Sequence, residues 1–263
     1  MSGTSLTEPK NEGGVPRVAA PELSVVVPVH NESENVVPLI LEVCAALNGR
    51  FDFELVYVDD CSDDATPGLL ADALGRFPRL RVLRHRARAG QSAAIATGIE
   101  AARGRTIATL DGDGQNDPAD IAALVKQLQE SPDPDRLLVA GHRAKRRDTV
   151  VKRLSSRIAN GVRRTLLGDG TPDTGCGLKA FTRSAFLAMP RFDHMHRFLP
   201  ALMMRAGGTV VSVPVNHRHR MKGRTKYGVF DRLWVGLFDL IGVMWLQRRR
   251  IVPTADEISA RRD

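Results

Sequence analysis

Short apolar runs alternate with longer segments of helical periodicity in the first half of the chain. The runs are rich in β-branched residues, which is typical of strands buried on both faces. We predict strands at 23–29, 53–58, 80–83 and 106–110, and a later one at 209–215. Helical patterns at 36–47 and 91–103 separate them. Strands that alternate with helices predict an α/β fold, a Rossmann-like, mostly parallel sheet flanked by helices on both faces.

Two further helical patterns lie in the second half of the chain. The segment 151–167 has one apolar face and a strongly basic remainder, and 233–246 is apolar and followed by three arginines. The second segment is shorter than the roughly 20 residues that a membrane-spanning helix needs. Two interpretations stay open for it: an amphipathic helix in the membrane interface, with Trp234 and Trp245 at headgroup depth, or a helix packed on the domain.

These patterns divide the chain into four parts. Residues 1–22 are polar and rich in Gly and Pro, which predicts a disordered tail. One large domain covers 23–227, an amphipathic and possibly membrane-interfacial helix covers 228–250, and a polar tail covers 251–263.

The charge of the chain is +8, and it is unevenly distributed. Basic residues gather at 142–164, 217–226 and 248–250. Such clusters attract phosphates of a nucleotide, a lipid headgroup or a nucleic acid, and a solvated basic face is an equally good explanation for any one of them.

The cysteines and the N-terminal residues indicate the cellular compartment of the protein. Cys44, Cys61 and Cys176 lie far apart without paired spacing, which argues against a disulfide framework or a zinc site and favours a reducing compartment. The first twenty residues lack the apolar core of a secretory signal. We therefore expect a cytoplasmic protein.

An acidic motif, Asp111-Gly112-Asp113-Gly114-Gln115, follows the predicted strand 106–110. Residues two apart in an extended chain point the same way, so Asp111, Asp113 and Gln115 are able to converge. Two carboxylates and an amide oxygen suit Mg²⁺ or Mn²⁺ and leave room for phosphate oxygens. Taken alone, the motif is weak evidence and favours a structural acidic turn.

Two other strands also end in polar residues, Pro28-Val29-His30-Asn31-Glu32 and Asp59-Asp60-Cys61-Ser62. The carboxyl ends of parallel strands meet at one edge, where such folds bind ligands. Because clustered carboxylates repel one another, a purely structural role for all three ends is unsatisfactory. The chain has no G-x-G-x-x-G or P-loop motif, which argues against dinucleotide-binding and ATPase functions.

Taken in order, these motifs resemble the family 2 glycosyltransferases. More narrowly, they are similar to the dolichol-phosphate mannose synthase group, which moves sugars onto polyprenyl phosphates. The resemblance runs from about Leu23 to Arg250, and its segments are 25–32, 58–66, 111–118, 141–143, 173–179 and 220–227. It implies a GT-A fold over the main domain, a divalent cation, and inversion at the anomeric carbon.

The resemblance also implies roles for individual residues. The residues that would bind the nucleotide-sugar are Pro28, His30, Glu32, Val58, Asp60, Asp111, Gly112, Asp113, Gln115, Arg143, Arg220 and Lys226. Those that would hold the cation are Asp111, Asp113 and Gln115. Those that would meet the acceptor phosphate are Arg153, Ser155 and Ser156. The catalytic set would be Asp113, Arg143, Arg153 and Asp173.

Two enzymatic hypotheses remain open, and they differ in the chemical group that accepts the sugar. A lipid phosphate is already ionised near neutral pH, so its transfer depends on alignment and charge neutralisation. A hydroxyl acceptor of a polysaccharide or glycolipid needs a general base, for which Asp173 is the candidate, although Asp173 also suits a structural role in its turn.

A third, remote hypothesis is a basic nucleic-acid-binding module, which the scarcity of aromatic residues disfavours. Four histidines, His194, His196, His217 and His219, lack metal-site spacing and are expected at the surface or facing phosphate. The expected partners are a nucleotide-sugar donor, a polyprenyl phosphate and the inner face of a membrane, with no nucleic acid. Self-assembly is left open.

Overall fold

A computed structural model of the chain describes residues 20–143, 161, 163, 165–218, 229–249 and 251. Its strands are β1 (Leu23–Val29), β2 (Phe53–Asp59), β3 (Leu80–Arg84), β4 (Thr106–Thr109), β5 (Leu137–Arg143), β6 (Lys179–Thr182) and β7 (Thr209–Val215). Its helices are α1 (Ser33–Leu47), α2 (Thr66–Leu74), α3 (Gln91–Ala101), α4 (Ile121–Gln129), α5 (Arg183–Leu187), α6 (Leu199–Arg205) and α7 (Val229–Arg248). Short 3₁₀ turns cover Pro118–Asp120, Pro134–Arg136 and Met195–Arg197.

The strands form one sheet in the order β3-β2-β1-β4-β6-β5-β7. The pairs β3-β2, β2-β1, β1-β4 and β5-β7 are parallel, and β6 is antiparallel to both β4 and β5. The predicted α/β class with a mostly parallel sheet is confirmed. The strands predicted from apolar runs are all present to within a residue, whereas β5 and β6 were not predicted as strands.

Two apolar layers cover the sheet because successive residues of its central strands point to opposite faces. On β1, Val25 and Val27 join the core beneath α1, α2 and α4, while Val26 joins the core beneath α3, α5, α6 and α7. Every residue of β1, β2 and β4 is buried. These central strands therefore form a rigid base for whatever follows their carboxyl ends.

The register aligns those ends at one edge. Val29, the last residue of β1, lies level with Asp59, the last residue of β2. In β4 the last residue, Thr109, lies level with Val26, so β4 stops three residues earlier along the sheet. The chain that follows β4 therefore turns beside the end of β1, where it forms the predicted acidic motif.

Helix α7 contains the predicted helix 233–246 and extends beyond it. Leu240 and Val243 are buried against the domain, whereas Phe238, Ile241 and Trp245 are 69%, 55% and 59% exposed. The helix therefore packs on the domain through one face, and its binding to a membrane through the exposed face stays a prediction. No helix in the described part of the chain is both long enough and apolar enough to cross a bilayer.

Several predictions fall on residues outside the described ranges. They are most of the helix predicted at 151–167, the basic loop beyond Arg218, and nearly all of the two predicted tails. The division into 1–22, 23–227, 228–250 and 251–263 stays a prediction.

Candidate active site

Proline at position 28 is compatible with a central strand because of where its nitrogen points. The carbonyl of Val26 accepts from Leu110 on the β4 side, and that of Val29 accepts from Asp60 on the β2 side. By alternation, the Pro28 nitrogen faces β4, which has already ended at that level. No ladder hydrogen bond is therefore lost, and the strand ends in the predicted site.

The segment after β1 is tied to the segment after β2. His30 Nδ1 lies 2.9 Å from the carbonyl oxygen of Asp60. The amide of Asn31, which has a φ of 56°, donates to Ser62 Oγ at 2.9 Å, and the amide of Glu32 donates to Thr66 Oγ1 at 3.0 Å. These contacts place His30 and Glu32 beside the end of β2, as a shared nucleoside site requires.

Asp60 uses its carboxylate to hold the loop that leads into α3. Its oxygens accept from the amides of Ala89 and Gly90, both at 2.8 Å, and lie 2.7 Å from His85 Nδ1. Burial raises the pKa of Asp60, but these hydrogen bonds outweigh it and leave the pKa below its ordinary value. The carboxylate is thus ionised and holds the loop in place. A contact between Asp60 and the nucleoside stays a prediction.

Val58 does not offer a side chain to this edge. It is fully buried in the core beneath α3, where Gly98 is so close that a Cβ there would lie 3.0 Å from Val58 Cγ2. A nucleoside contact through the Val58 side chain is not supported by the structure, because alternation along β2 turns that residue into the core.

The acidic motif packs tightly against β1. A Cβ at Gly112 would lie 2.5 Å from Val29 Cγ1 and 2.9 Å from the Pro28 carbonyl oxygen, so only glycine allows this approach. Gly114 has a φ of 71°, a backbone conformation that glycine adopts at little cost. The amide of Gln115 then donates to Asp113 Oδ1 at 3.1 Å. The turn therefore carries Asp111, Asp113 and Gln115 next to one another.

Asp111 lies in an environment that disfavours its charge. Burial and the nearby negative charge of Asp113 raise its pKa to about 6, against the opposing influence of Lys179 and Arg143. Gln91, the first residue of α3, donates from Nε2 to Asp111 Oδ1 at 2.9 Å. Two carboxylates that repel each other at the end of a buried strand fit a divalent cation, which would remove the repulsion.

The donor set is small. Among the described residues, no group of three or more His, Cys, Asp or Glu side chains is arranged to hold a metal ion. Two carboxylates with the amide oxygen of Gln115 would leave coordination positions for phosphate oxygens and water, which is how Mg²⁺ is commonly bound with its substrates.

The loop before β6 closes behind Asp111. Thr109 Oγ1 donates to the Gly177 carbonyl oxygen at 2.7 Å, and a Cβ at position 177 would overlap the Asp111 carboxylate. Lys179, 4% exposed, donates from Nζ to the Cys176 carbonyl oxygen. Burial lowers the pKa of Lys179, while Cys176, Asp111 and Asp173 oppose that shift. The Lys179 side chain thus lies within electrostatic reach of Asp111.

Arg143 and Asp173 form a two-pronged ion pair. The Arg143 Nε lies 2.6 Å from Asp173 Oδ2, and Nη2 lies 2.7 Å from Oδ1. Both side chains are largely buried, at 15% and 4% exposed. Burial lowers the pKa of Arg143, but Asp173 more than compensates and leaves that pKa raised. Asp173 therefore directs its carboxylate to the guanidinium, which it holds near Asp111.

Arg218, which belongs to the predicted basic loop, connects separate segments of the fold. Its side chain pairs with Glu42 at 2.6 Å and with Asp117 at 2.9 Å, and its amide donates to the Gln115 carbonyl oxygen at 2.8 Å. These contacts fasten the end of the acidic motif to α1. The positive charge of Arg218 is therefore balanced by two carboxylates of the protein itself, so this charge does not require a bound phosphate.

His196 differs from the expectation of a surface or phosphate-facing residue. Its ring is half-buried, and Nδ1 lies 2.7 Å from the hydroxyl of Ser92 on α3. Burial lowers its pKa to about 3, which makes the ring neutral near pH 7. A neutral ring is a poor phosphate ligand, so the phosphate-facing expectation does not suit this residue.

Five predicted site residues, Arg153, Ser155, Ser156, Arg220 and Lys226, lie outside the described residues. Sequence reasoning also missed several neighbours of Asp111. They are Gln91, Gly177 and Lys179. Two weak features of the sequence could have indicated these residues. Lys179 lies in an apolar strand that follows Gly175-Cys176-Gly177, and Gln91 directly follows a glycine at the start of a helix.

Residues 24–189 match the profile of glycosyl transferase family 2. The chain belongs to this family. The resemblance inferred from the sequence motifs is thereby confirmed, and the protein is a glycosyltransferase.

Two curated relatives cover most of this glycosyltransferase. Dodecaprenyl-phosphate galacturonate synthase of Rhizobium johnstonii is 36% identical over 237 residues, which are 88% of this chain and 69% of that protein. Undecaprenyl-phosphate 4-deoxy-4-formamido-L-arabinose transferase of Enterobacter sp. (strain 638) is 35% identical over 243 residues, or 91% and 72% of the two chains.

Solved structures share the fold. A mannosyltransferase from Pyrobaculum calidifontis with GDP-Man and Mn²⁺ has a TM-score of 0.61 at 17% identity, covering 90% of this chain and 67% of that one. Glucosyl-3-phosphoglycerate synthase from Mycobacterium tuberculosis with Mg²⁺ and UDP has a TM-score of 0.64 at 21% identity, covering 87% and 80%. The predicted GT-A fold is confirmed, and both neighbours hold a divalent cation with a nucleotide.

Proposed function

We propose that this glycosyltransferase moves a sugar, with inversion, from a GDP- or UDP-sugar to a polyprenyl phosphate. The observation that carries the proposal is the Arg143–Asp173 ion pair beside Asp111, because it places a cation rather than a free base next to the predicted metal site. The two relatives described above, each named for a polyprenyl phosphate, support the same acceptor.

The donor end of the site consists of the residues that follow β1, β2 and β4. Asp111, Asp113 and Gln115 would hold Mg²⁺ or Mn²⁺, and that ion would stabilise the charge developing on the departing diphosphate. Gly177 lets the loop before β6 pack against the Asp111 carboxylate, and Gly112 lets the acidic turn pack against β1, which supports a preorganised carboxylate. His30 and Glu32, tied to the end of β2, would bind the nucleoside.

The acceptor end depends on positive charge. A phosphate monoester is already ionised near pH 7, so attack on the anomeric carbon requires alignment and relief of charge repulsion rather than removal of a proton. Arg143, whose guanidinium is held in place by Asp173, meets that requirement. Arg153, Ser155 and Ser156 for the acceptor, and Arg220 and Lys226 for phosphates, remain part of the proposal.

A hydroxyl acceptor is less well supported. It needs a carboxylate free to take a proton, and the Asp173 oxygens already accept two short hydrogen bonds from Arg143. Among the site residues that the structure describes, none favours the nucleic-acid-binding alternative.

The exposed surface of α7 supports membrane binding as part of this proposal. Phe238, Ile241 and Trp245 form an exposed apolar ridge on the side opposite Leu240 and Val243, and exposed arginines follow the ridge. Apolar residues beside basic ones are suited to the interface of an anionic bilayer. We place the enzyme at the inner face of the membrane, where this ridge would bring the site to the lipid. Its assembly state stays open.

A donor screen tests the proposal. The protein is incubated with Mn²⁺, undecaprenyl phosphate and a panel of GDP- and UDP-sugars, and the lipid products are identified by mass spectrometry. We expect a lipid monophosphate sugar that disappears with EDTA. The same panel with undecaprenol, which carries a hydroxyl in place of the phosphate, is the control. Product from undecaprenol but not from the phosphate would contradict the proposed acceptor.

A further inference from the structure

The first two residues of α3 contact two different parts of the molecule. Gln91 donates to Asp111, and the next residue, Ser92, contacts His196 in the 3₁₀ turn Met195–Arg197. Ser92 Oγ lies 2.7 Å from His196 Nδ1 and also accepts from the His196 amide at 3.2 Å. The start of one helix therefore joins the predicted metal site to a histidine that lies 104 residues further along the chain than Ser92.

These contacts decide which ring nitrogen carries the proton. Ser92 is 4% exposed, and its hydroxyl has a single proton to donate. It accepts from the His196 amide, and within the described residues His196 Nδ1 is the acceptor within reach of its own proton. The hydroxyl therefore donates to Nδ1, which leaves the proton of the neutral ring on Nε2.

The charge state of the ring agrees with that assignment. Burial lowers the pKa of His196, and the positive charges of Arg197 and Lys179 lower it further, to about 3. The ring is thus neutral across the physiological range. Its Nε2–H is an uncharged donor of fixed orientation, since both the ring and the tautomer are held by Ser92.

His196 is linked to the predicted metal site through the start of α3, because Gln91 contacts Asp111 and the adjacent Ser92 contacts His196. Lys179 is close enough to lower the pKa of His196, and it is also close enough to influence Asp111. A neutral N–H donor adds little to the binding of a phosphate, for which Arg143 supplies a positive charge. It is suited to an uncharged oxygen, and a sugar hydroxyl is the group of that kind which the reaction brings next to the metal-bound diphosphate.

We propose that His196 is a contact for the donor sugar, with Nε2–H donating to a sugar hydroxyl oxygen, and that Ser92 is the positioning residue that fixes its tautomer. This inference rests on the proposed function and deepens it. It separates recognition of the sugar, by His196, from recognition of the nucleotide and diphosphate, by the residues that follow β1, β2 and β4.

Calorimetric titrations in the presence of Mn²⁺ test this separation. The ligands are UDP, UDP-glucose, UDP-galacturonate, GDP and GDP-mannose, and the measured quantity is how much tighter each nucleotide-sugar binds than its diphosphate. His196→Ala should weaken the nucleotide-sugar that binds the wild type best by about 3- to 10-fold, the usual worth of one hydrogen bond. It should leave affinity for the matching diphosphate within about twofold.

Three variants serve as comparisons. His196→Gln retains an N–H donor and should recover part of the loss, and Ser92→Ala should give a smaller loss because the ring loses its fixed tautomer. His194→Ala is the matched control: His194 lies two residues away but pairs with Asp239 at 3.1 Å, and its removal should leave every ratio unchanged.

The outcomes separate this inference from the proposed function. If the wild type binds neither diphosphate with Mn²⁺, the proposed function fails. If nucleotide-sugars bind but undecaprenyl phosphate is not glycosylated, only the acceptor is wrong. The inference itself is overturned if the sugar adds no affinity in the wild type, or if the ratio is unchanged in His196→Ala. Should His196→Ala not fold, unchanged ratios in both His196→Gln and Ser92→Ala overturn it equally.

Discussion

Gly177 lies directly behind the Asp111 carboxylate, so closely that a side-chain carbon at position 177 would overlap the carboxylate oxygens. The two residues come from different segments, and Thr109 holds the contact by donating to the Gly177 carbonyl oxygen. The orientation of a predicted metal ligand is thus determined by a residue with no side chain of its own.

Gly177→Ala should displace Asp111 without unfolding the protein. We expect Mn²⁺-dependent nucleotide affinity to fall about 10- to 100-fold, the range seen when the support of a metal ligand is removed. Calorimetry with UDP and GDP measures it. Gly170→Ala is the matched control, because a Cβ at position 170 would have no atom within 4 Å. Equal affinities in the two variants would contradict the role given to Gly177.

Asp113→Ala should abolish metal-dependent nucleotide binding while the fold is retained. The reason is that Asp113 supplies one of the two carboxylates, and its loss leaves too few oxygen ligands for the ion. We expect a loss of about 100-fold or more, measured by titration with Mn²⁺ present and absent. Asp72→Ala, at an exposed position of α2, is the control. Unchanged affinity in Asp113→Ala would remove the basis of the donor site.

The pKa of Asp111 near 6 predicts a pH dependence of metal binding. The cation must displace the proton, so Mn²⁺ affinity should be nearly constant above pH 7 and fall about tenfold per unit well below pH 6. The raised pKa also means that the folded state binds more protons than the unfolded state between about pH 4 and 6. The metal-free wild type should therefore lose stability relative to Asp111→Asn as the pH rises through that window, and thermal denaturation checks the sign.

Asp173→Asn distinguishes the two acceptor classes. With a phosphate acceptor, the amide retains one hydrogen bond to Arg143, and we expect kcat/KM for the acceptor to fall about tenfold. With a hydroxyl acceptor, the base is lost and the fall should be about 100- to 10,000-fold. Steady-state kinetics with the acceptor that the wild type glycosylates, undecaprenyl phosphate or undecaprenol, measures the size of the fall, and donor affinity serves as the internal control. A near-complete loss of turnover would indicate that Asp173 acts as a base, as a hydroxyl acceptor requires.

The exposed ridge of α7 predicts membrane binding. Replacing both Phe238 and Trp245 by Ser should weaken binding to anionic vesicles about tenfold or more, since large apolar surfaces no longer leave water. Leu74→Ser is the matched control, because Leu74 is 47% exposed on α2. Vesicle co-sedimentation measures the effect. If the double variant and the control bind equally well, α7 is not the membrane-facing element.

The sequence by itself determined the local features of this glycosyltransferase. Apolar runs predicted five of the seven strands, and in β1, β2 and β4 burial on both faces accounts for such runs. The strand-end motif also predicted that Asp111 and Asp113 lie close together, because they are neighbours along the chain; their binding of a metal stays a prediction. β5 and β6 escaped prediction as strands. β6 is only four residues long and begins with a lysine.

Only the tertiary structure decided what surrounds those carboxylates. Gln91, Gly177 and Lys179 lie near Asp111 and belong to α3, the loop before β6 and β6 itself. No local pattern records such contacts, since they depend on the order and register of the strands. The same holds for Asp60 and Asp173: the sequence supplied a carboxylate in each case, and only the fold decided that one would hold a loop and the other a guanidinium.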